Sequence, residues 1–96
     1  MVIHVVMIQF KPEVSEADRE AIRAEITALG DLVPGLRNIT TGRNFAQEER
    51  AMDLVLIAQF DRREDLDFYA THPEHQKVLD ALKPMVEYTK VVDFEA

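Results

Sequence analysis

Five side chains in the sequence are of types that transfer protons or bind ligands: His4, Tyr69, His72, His75 and Asp93. Tyr69 and His75 are six residues apart, and Pro73 between them breaks the helix, so both side chains can turn toward one place. Asp93 is expected to be buried near the end of the last strand, and a buried carboxylate needs a partner, which His75 or His4 could supply. The helix break therefore predicts that Tyr69 and His75 form a proton-transferring pair, with Asp93 as a candidate partner of one of the histidines.

His4 lies in a run of β-branched and apolar residues, Val2 to Phe10, that is typical of a strand. It shares one strand face with Val6 and Ile8, so it points either into the core or toward a small cavity beneath the helices. A single histidine on an apolar face is usually a hydrogen-bonded structural residue. Both interpretations of His4 stay open at this point.

His72 and His75 are three residues apart, a spacing compatible with metal ligation. His72 precedes Pro73 and is expected to be the N-cap of a helix that begins there, which would turn the two rings apart. The chain has no cysteine, and no third ligand follows at a suitable spacing. We therefore predict no metal site. No G-x-G-x-x-G, P-loop, G-x-S-x-G or H-E-x-x-H motif is present, and no cofactor is predicted.

Three further strands are predicted from apolar and β-branched runs. They cover Leu36 to Asn44, Leu54 to Phe60 and Tyr88 to Phe94. The first of these contains several polar residues and is therefore expected at a sheet edge. Gly42 within it indicates a bulge or a close approach of the backbone.

Capping signatures and breakers divide the remaining chain into helices. Ser15 with Asp18 predicts an N-cap, and Asp61 with Glu64 predicts a second one. The first helix carries an apolar stripe and is expected to end at Pro34-Gly35; the stripe is Ile22, Ile26, Leu29 and Val33. The second helix carries Leu66 and Tyr69. A third helix is expected to begin at Pro73, to end at Pro84 and to carry Val78, Leu79 and Leu82.

The element order is β-α-β-β-α-β, which predicts a ferredoxin-like α+β fold with a four-stranded antiparallel sheet covered by helices on one face. Two strands are nevertheless apolar on both faces. The side chains predicted on the uncovered face are Ile3, Val5, Met7, Val55 and Ile57. Because so large an apolar patch is unusual on a monomer, we predict a homodimer that forms through the sheets.

The length and charge of the chain limit the remaining possibilities. Ninety-six residues form one domain, residues 1–96, and the 47% hydrophobic and 30% charged composition predicts a folded chain. A net charge of -7 disfavours nucleic acid and anionic membranes as partners. The absence of cysteine and of an apparent signal peptide or membrane-spanning run favours a cytoplasmic protein.

Several short motifs, in order, resemble one family over essentially the whole chain. They are His4-Val-Val-Met-Ile-Gln-Phe-Lys11, Val33-Pro-Gly-Leu36, Gly42-Arg-Asn44, Phe60 with Glu64-Asp65-Leu66, Tyr69-Ala-Thr-His72-Pro-Glu-His75 and Val91-Val-Asp93-Phe94. This pattern resembles the stress-responsive A/B barrel domain, often written Dabb. The resemblance implies a ferredoxin-like unit that dimerises through its sheets into an α+β barrel.

The resemblance also implies a site. One plant branch of the family consists of cofactor-free polyketide cyclases, which use the tyrosine and the second histidine of the motif as acid/base groups. Those positions fall on Tyr69 and His75. Their implied substrate-binding neighbours are His4, Val6, Ile8 and Asp93. In such a site His75 would exchange a proton, Tyr69 would donate a hydrogen bond to a developing enolate, and Asp93 would fix the imidazole tautomer.

Three functional hypotheses follow. The first is a dimer that binds a small aromatic or carbonyl-bearing molecule between sheet and helices, with cofactor-free, cyclase-like acid/base chemistry. The second is a non-catalytic stress-response or interaction protein whose histidines are structural. The third is a cofactor-independent monooxygenase or haem degrader, against which the absence of tryptophan and of a distinctive ligand set counts.

Overall fold

A four-stranded antiparallel sheet forms the centre of the molecule, with helices on one face. The computed structural model describes residues 1–96. The strands and helices are β1 (Val2–Phe10), α1 (Glu16–Ala28), β2 (Leu36–Arg43), β3 (Leu54–Phe60), α2 (Arg63–Thr71), α3 (Pro73–Leu82) and β4 (Val86–Glu95). The strand order is β2-β3-β1-β4, and every neighbouring pair is antiparallel. The predicted ferredoxin-like fold is confirmed, with its second helical region divided into α2 and α3.

Helix α1 begins where the sequence predicts and ends earlier. The Ser15 hydroxyl accepts a hydrogen bond from the backbone N–H of Asp18 at 3.1 Å, which confirms the predicted N-cap. The α-helix ends at Ala28 rather than at Pro34, because a 3₁₀ turn follows at Leu29–Asp31. The whole predicted apolar stripe is nevertheless buried. None of the helices is long and apolar enough to cross a membrane.

The predicted cap of α2 is wrong. The residue before α2 is Arg62, in an extended conformation and without a side-chain capping bond. The Asp61 carboxylate lies 3.6 Å from the guanidinium of Arg37. A capping box at Asp61 requires α2 to begin at Arg62, but α2 begins one residue later, so Asp61 lies outside the N-cap position.

His72 separates α2 from α3 and caps the second of them. Its backbone is extended, as expected for a residue that precedes proline. Its Nδ1 accepts a hydrogen bond from the backbone N–H of Glu74 at 3.1 Å. The predicted helix start at Pro73 and the capping role of His72 are therefore both confirmed.

The sheet has an inner face, toward the helices, and an outer face. Burial alternates strictly along β3: Leu54, Leu56, Ala58 and Phe60 are buried, and the residues between them are half-buried. The buried side chains belong to one core cluster with Ile22 and Ile26 of α1, Tyr69 of α2 and Leu82 of α3. The inner face is thus the core of the domain.

The outer face is apolar in three strands. Cross-strand pairs place Val5 beside Ile57 and Met7 beside Val55, and β4 adds Phe94 beside Ile3 and Val92 beside Val5. None of these side chains packs against the core cluster. Val92 is 54% exposed and Phe94 is 47% exposed. The prediction that two strands are apolar on both faces is confirmed.

The edge strands differ in detail from the prediction. The edge position of β2 is confirmed, but β2 ends at Arg43 rather than at Asn44. A Cβ at Gly42 would meet the Val55 side chain at an ordinary 3.7 Å, and pairing is regular there, so the interpretation of Gly42 as a bulge or close approach is wrong. The irregularity lies between Leu36 and Asn38. β4 is longer than predicted, running from Val86 to Glu95.

Candidate functional site

A cavity of about 120 Å³ lies between the inner face of the sheet and the helices. β1 contributes His4, Val6 and Ile8, α2 contributes Tyr69, and α3 contributes His75. The structure therefore brings together five of the six side chains that the sequence singles out as site residues. The sixth, Asp93, does not line this cavity.

Tyr69 lies at the closed side of the cavity. It is 2% exposed, and its ring centroid is 5.3 Å from that of Phe60 and 4.3 Å from that of His75. Burial alone raises the pKa of Tyr69 to about 12. Its hydroxyl therefore stays protonated at neutral pH and can donate a hydrogen bond.

His75 lies in the first turn of α3, where the extended His72 redirects the chain. Its Nδ1 is 3.0 Å from the carbonyl oxygen of Ala70, in the last turn of α2. Because a carbonyl can only accept, Nδ1 carries the proton, and in the neutral ring the lone pair is on Nε2. The bond thus fixes a tautomer whose other nitrogen can act as a base.

The electrostatic surroundings of His75 favour the neutral ring. Burial lowers its pKa below the ordinary value, and the nearby His4 and His72 lower it further. The hydrogen bond to Ala70 raises the pKa of His75, but by less than burial lowers it. A neutral imidazole beside a protonated phenol is a combination that can remove one proton and stabilise the resulting charge.

Asp93 pairs with His4. The two residues are directly opposite on β1 and β4, and Nδ1 of His4 is hydrogen-bonded to the Asp93 carboxylate. Of the two partners left open for Asp93, the structure shows His4. The prediction that Asp93 fixes the tautomer of His75 is wrong, because the Nδ1–H of His75 donates its hydrogen bond to the carbonyl oxygen of Ala70. The expected burial of Asp93 is also wrong: its side chain is 46% exposed, because it faces an open crevice between β4 and α2.

His4 connects the His4–Asp93 pair to the cavity. Its side chain is 16% exposed, and its ring meets the Tyr69 ring edge-on at a centroid distance of 6.1 Å. Asp93 faces a separate crevice of about 360 Å³ that also contains Arg63 and Asp67. Asp93 therefore reaches the candidate site only through His4.

His72 takes no part in the cavity. Its Nδ1 is occupied by the cap of α3, and its ring packs edge-on against Phe68 at a centroid distance of 5.5 Å. No group of three or more histidine, aspartate or glutamate side chains is arranged to hold a metal ion.

Seven of the twelve residues that line the cavity were not predicted as site residues, and two of them, Leu79 and Thr89, form its open side. Leu79, expected in the core, is 39% exposed and lies at the open side of the cavity, opposite Thr89 of β4. Thr89 stands four residues before Asp93 on the same strand, so the period of two could have assigned it to the inner face. Its exposure depends on the gap between α3 and β4, which no local pattern indicates.

The fold and this cavity define a ferredoxin-like α+β domain with a site between sheet and helices. The sequence matches the family model of the stress responsive A/B barrel domain over residues 2–96. The chain belongs to this family.

Similar proteins differ in what they are described to do. The chain is 23% identical to olivetolic acid cyclase from Cannabis sativa, covering 95% of this chain and 92% of the cyclase. A dimeric protein of ferredoxin-like fold from Bacteroides fragilis is 27% identical, with a TM-score of 0.83 and coverage of 99% of this chain and 95% of that one. Hydroxynitrile lyase from Passiflora edulis is 20% identical, with a TM-score of 0.86 and coverage of 97% and 90%.

Proposed function

We propose that the protein is a homodimer that binds a small aromatic or carbonyl-bearing molecule in the cavity and catalyses cofactor-free proton transfer on it. The observation that carries this proposal is the contact between Tyr69 and His75 on one cavity wall, at a centroid distance of 4.3 Å. The similarity to a cyclase supports the reaction class. A cytoplasmic location is part of the proposal and agrees with the lack of cysteine.

The chemistry follows from the protonation states. Nε2 of His75 takes a proton from the carbon next to a substrate carbonyl, and the electron pair of the broken C–H bond moves onto the carbonyl oxygen. The Tyr69 hydroxyl donates a hydrogen bond to that oxygen as its negative charge develops. The imidazolium then returns the proton to carbon or to oxygen. The nearby charge of the imidazolium also stabilises the enolate.

The outer face supports the dimer. Its apolar side chains lie outside the core cluster, and Val92 and Phe94 are about half exposed, whereas soluble monomers rarely leave a contiguous apolar patch in water. The Bacteroides fragilis protein of the same fold is described as dimeric. Two outer faces packed against each other would produce the predicted barrel.

A second candidate function is a non-catalytic interaction protein. The observation that favours it is the structural use of both helix-break histidines: His72 caps α3, and His75 joins α3 to the carbonyl of Ala70. If these bonds are the main role of His75, its removal should lower stability and change no chemistry.

Proton exchange on carbon separates the two candidates. The substrate is an aryl-substituted ketone such as 4-phenyl-2-butanone in D₂O, and NMR measures deuterium incorporation beside the carbonyl. The wild type should accelerate exchange, and His75→Ala should reduce the acceleration by roughly a hundredfold or more. Tyr69→Phe should cause a smaller loss, because it removes one hydrogen-bond donor.

His72→Ala is the matched control. It removes a cap worth about 1 kcal/mol and should lower stability, while changing exchange far less than His75→Ala does, because His72 affects His75 only through its pKa. If His75→Ala behaves like His72→Ala, with lower stability and little change in exchange, the interaction-protein function replaces the catalytic one.

A further inference from the structure

The cavity at Tyr69 and His75 continues into a groove between α3 and β4. The groove measures about 290 Å³ and is lined by Leu79, Leu82, Lys83, Val86 and Thr89. Three of these residues, Leu79, Leu82 and Thr89, also line the cavity. The two spaces meet at these side chains, where no helix covers the edge strand.

The cavity alone is small for the proposed reaction. Its 120 Å³ is less than the ~150 Å³ of an engineered cavity that holds benzene. Pockets for larger organic ligands measure roughly 300–1,000 Å³, a range that the cavity reaches only together with the groove. A substituted ligand whose reactive end is beside Tyr69 and His75 must therefore extend into the groove.

Lys83 supplies a positive charge at the outer end of the groove. It is the only permanently charged side chain that lines either space. Lys77, six residues earlier, is paired with Glu74 at 3.2 Å. Lys83, in contrast, takes part in none of the ion pairs of the structure. In a chain with a net charge of -7, this ammonium group is a local attraction for an anion.

Helix geometry sets the distance between the two ends. His75, Leu79 and Lys83 follow each other at intervals of four residues, and Lys83 keeps helical backbone angles. Eight residues at 1.5 Å per residue place Lys83 about 12 Å along the helix from His75. That span corresponds to roughly eight to ten carbon atoms in an extended chain with bonds of ~1.5 Å.

We propose that the cavity and the groove together bind an elongated amphiphilic carboxylate. Its carboxylate lies at Lys83, its apolar body lies on Leu79, Leu82 and Val86, and its other end reaches Tyr69 and His75. The position of the reactive end rests on the proposed function. The recognition of the carboxylate does not require the protein to be an enzyme.

Calorimetry with decanoate and decanol, below the concentration at which decanoate forms micelles, tests this proposal. The wild type should bind decanoate more tightly than decanol. Lys83→Met should weaken decanoate binding about fivefold, as expected for one exposed ion pair, and leave decanol binding unchanged. The control Lys77→Met should change neither. Thr89→Phe, at the junction of groove and cavity, should weaken both.

Equal losses of decanoate affinity in Lys83→Met and Lys77→Met would overturn the proposal, because they would reflect net charge alone. It would also be overturned if decanoate does not bind, or if Lys83→Glu changes the oligomeric mass, which would assign the groove to a second copy of the chain. Calorimetry with decanoate measures binding alone and involves no proton exchange beside a ketone. The binding result therefore stands or fails independently of the proton-exchange result.

Discussion

The two faces of the sheet are built from the same kinds of residues and are used differently. The inner face of β1 and β3 contacts the helices through Ile8, Leu56 and Phe60, and it leaves a cavity where His4 replaces an aliphatic side chain. The outer face of the same strands is apolar through Val5, Met7 and Ile57 without any covering element of its own chain.

In the proposed dimer, one strand would serve folding through one face and association through the other. Successive side chains alternate between faces, so a strand such as Val2–Phe10 can supply a core on one side and a contact surface on the other. The inner face also holds the polar groups of the candidate site, His4, Tyr69 and His75. Substitutions on the inner face should therefore affect folding and the site, and substitutions on the outer face should affect association.

The largest effect should come from two charges on the outer face. Val55→Lys and Ile57→Lys together would leave two unpaired ammonium groups in a sheet-to-sheet interface, each costing several kcal/mol if buried. In sedimentation at micromolar concentration the wild type should have about twice the mass of the 11.0 kDa chain, and the variant should dissociate or unfold. The double control Ala17→Lys with Ala24→Lys, on the exposed side of α1, should remain dimeric. A wild-type protein that sediments as a monomer would contradict the proposed interface.

A large truncation on the inner face should act on folding instead. Phe60 is fully buried and packs against Tyr69. Phe60→Ala should lower the free energy of unfolding by about 3–5 kcal/mol through lost burial and the cavity left behind. Urea denaturation at constant protein concentration measures this loss. A Phe60→Ala protein with unchanged stability and a lower oligomeric mass would reverse the roles assigned to the two faces.

The sequence predicted the elements that depend on local periodicity and the meeting of Tyr69 with His75. That meeting depends on Pro73, whose effect on the preceding backbone is local and general. The family resemblance added the roles, and these stay proposals. The alternation of apolar residues was likewise sufficient to assign both faces of β1 and β3.

The contacts that the sequence left open or missed depend on neighbours distant in the chain. His4 and His75 were both open as partners of Asp93, and His4 is the partner because β1 and β4 pair in one particular register, across 89 residues of sequence. α2 begins one residue later than the capping signature at Asp61 predicts, and Asp61 instead pairs with Arg37, which is distant in sequence. The groove at Lys83 is a gap between a helix and an edge strand, and periodicity predicts which residues face each other but not whether they touch.

The smallest expected effect is on the pH dependence of folding stability, and it tests the burial of His75 on the inner side of the sheet. Because burial lowers the pKa of His75 in the folded protein, the unfolded chain binds more protons than the folded one as pH falls below the unfolded value of about 6.5. The contribution of this residue is therefore fully present above that pH and is lost as the pH falls through the folded pKa. Urea denaturation of wild type and His75→Gln at pH 7.5 and 5.0 should show a smaller loss of stability in the variant. An equal loss in both proteins would mean that the acid sensitivity arises elsewhere and that the His75 ring is not held neutral by the cavity.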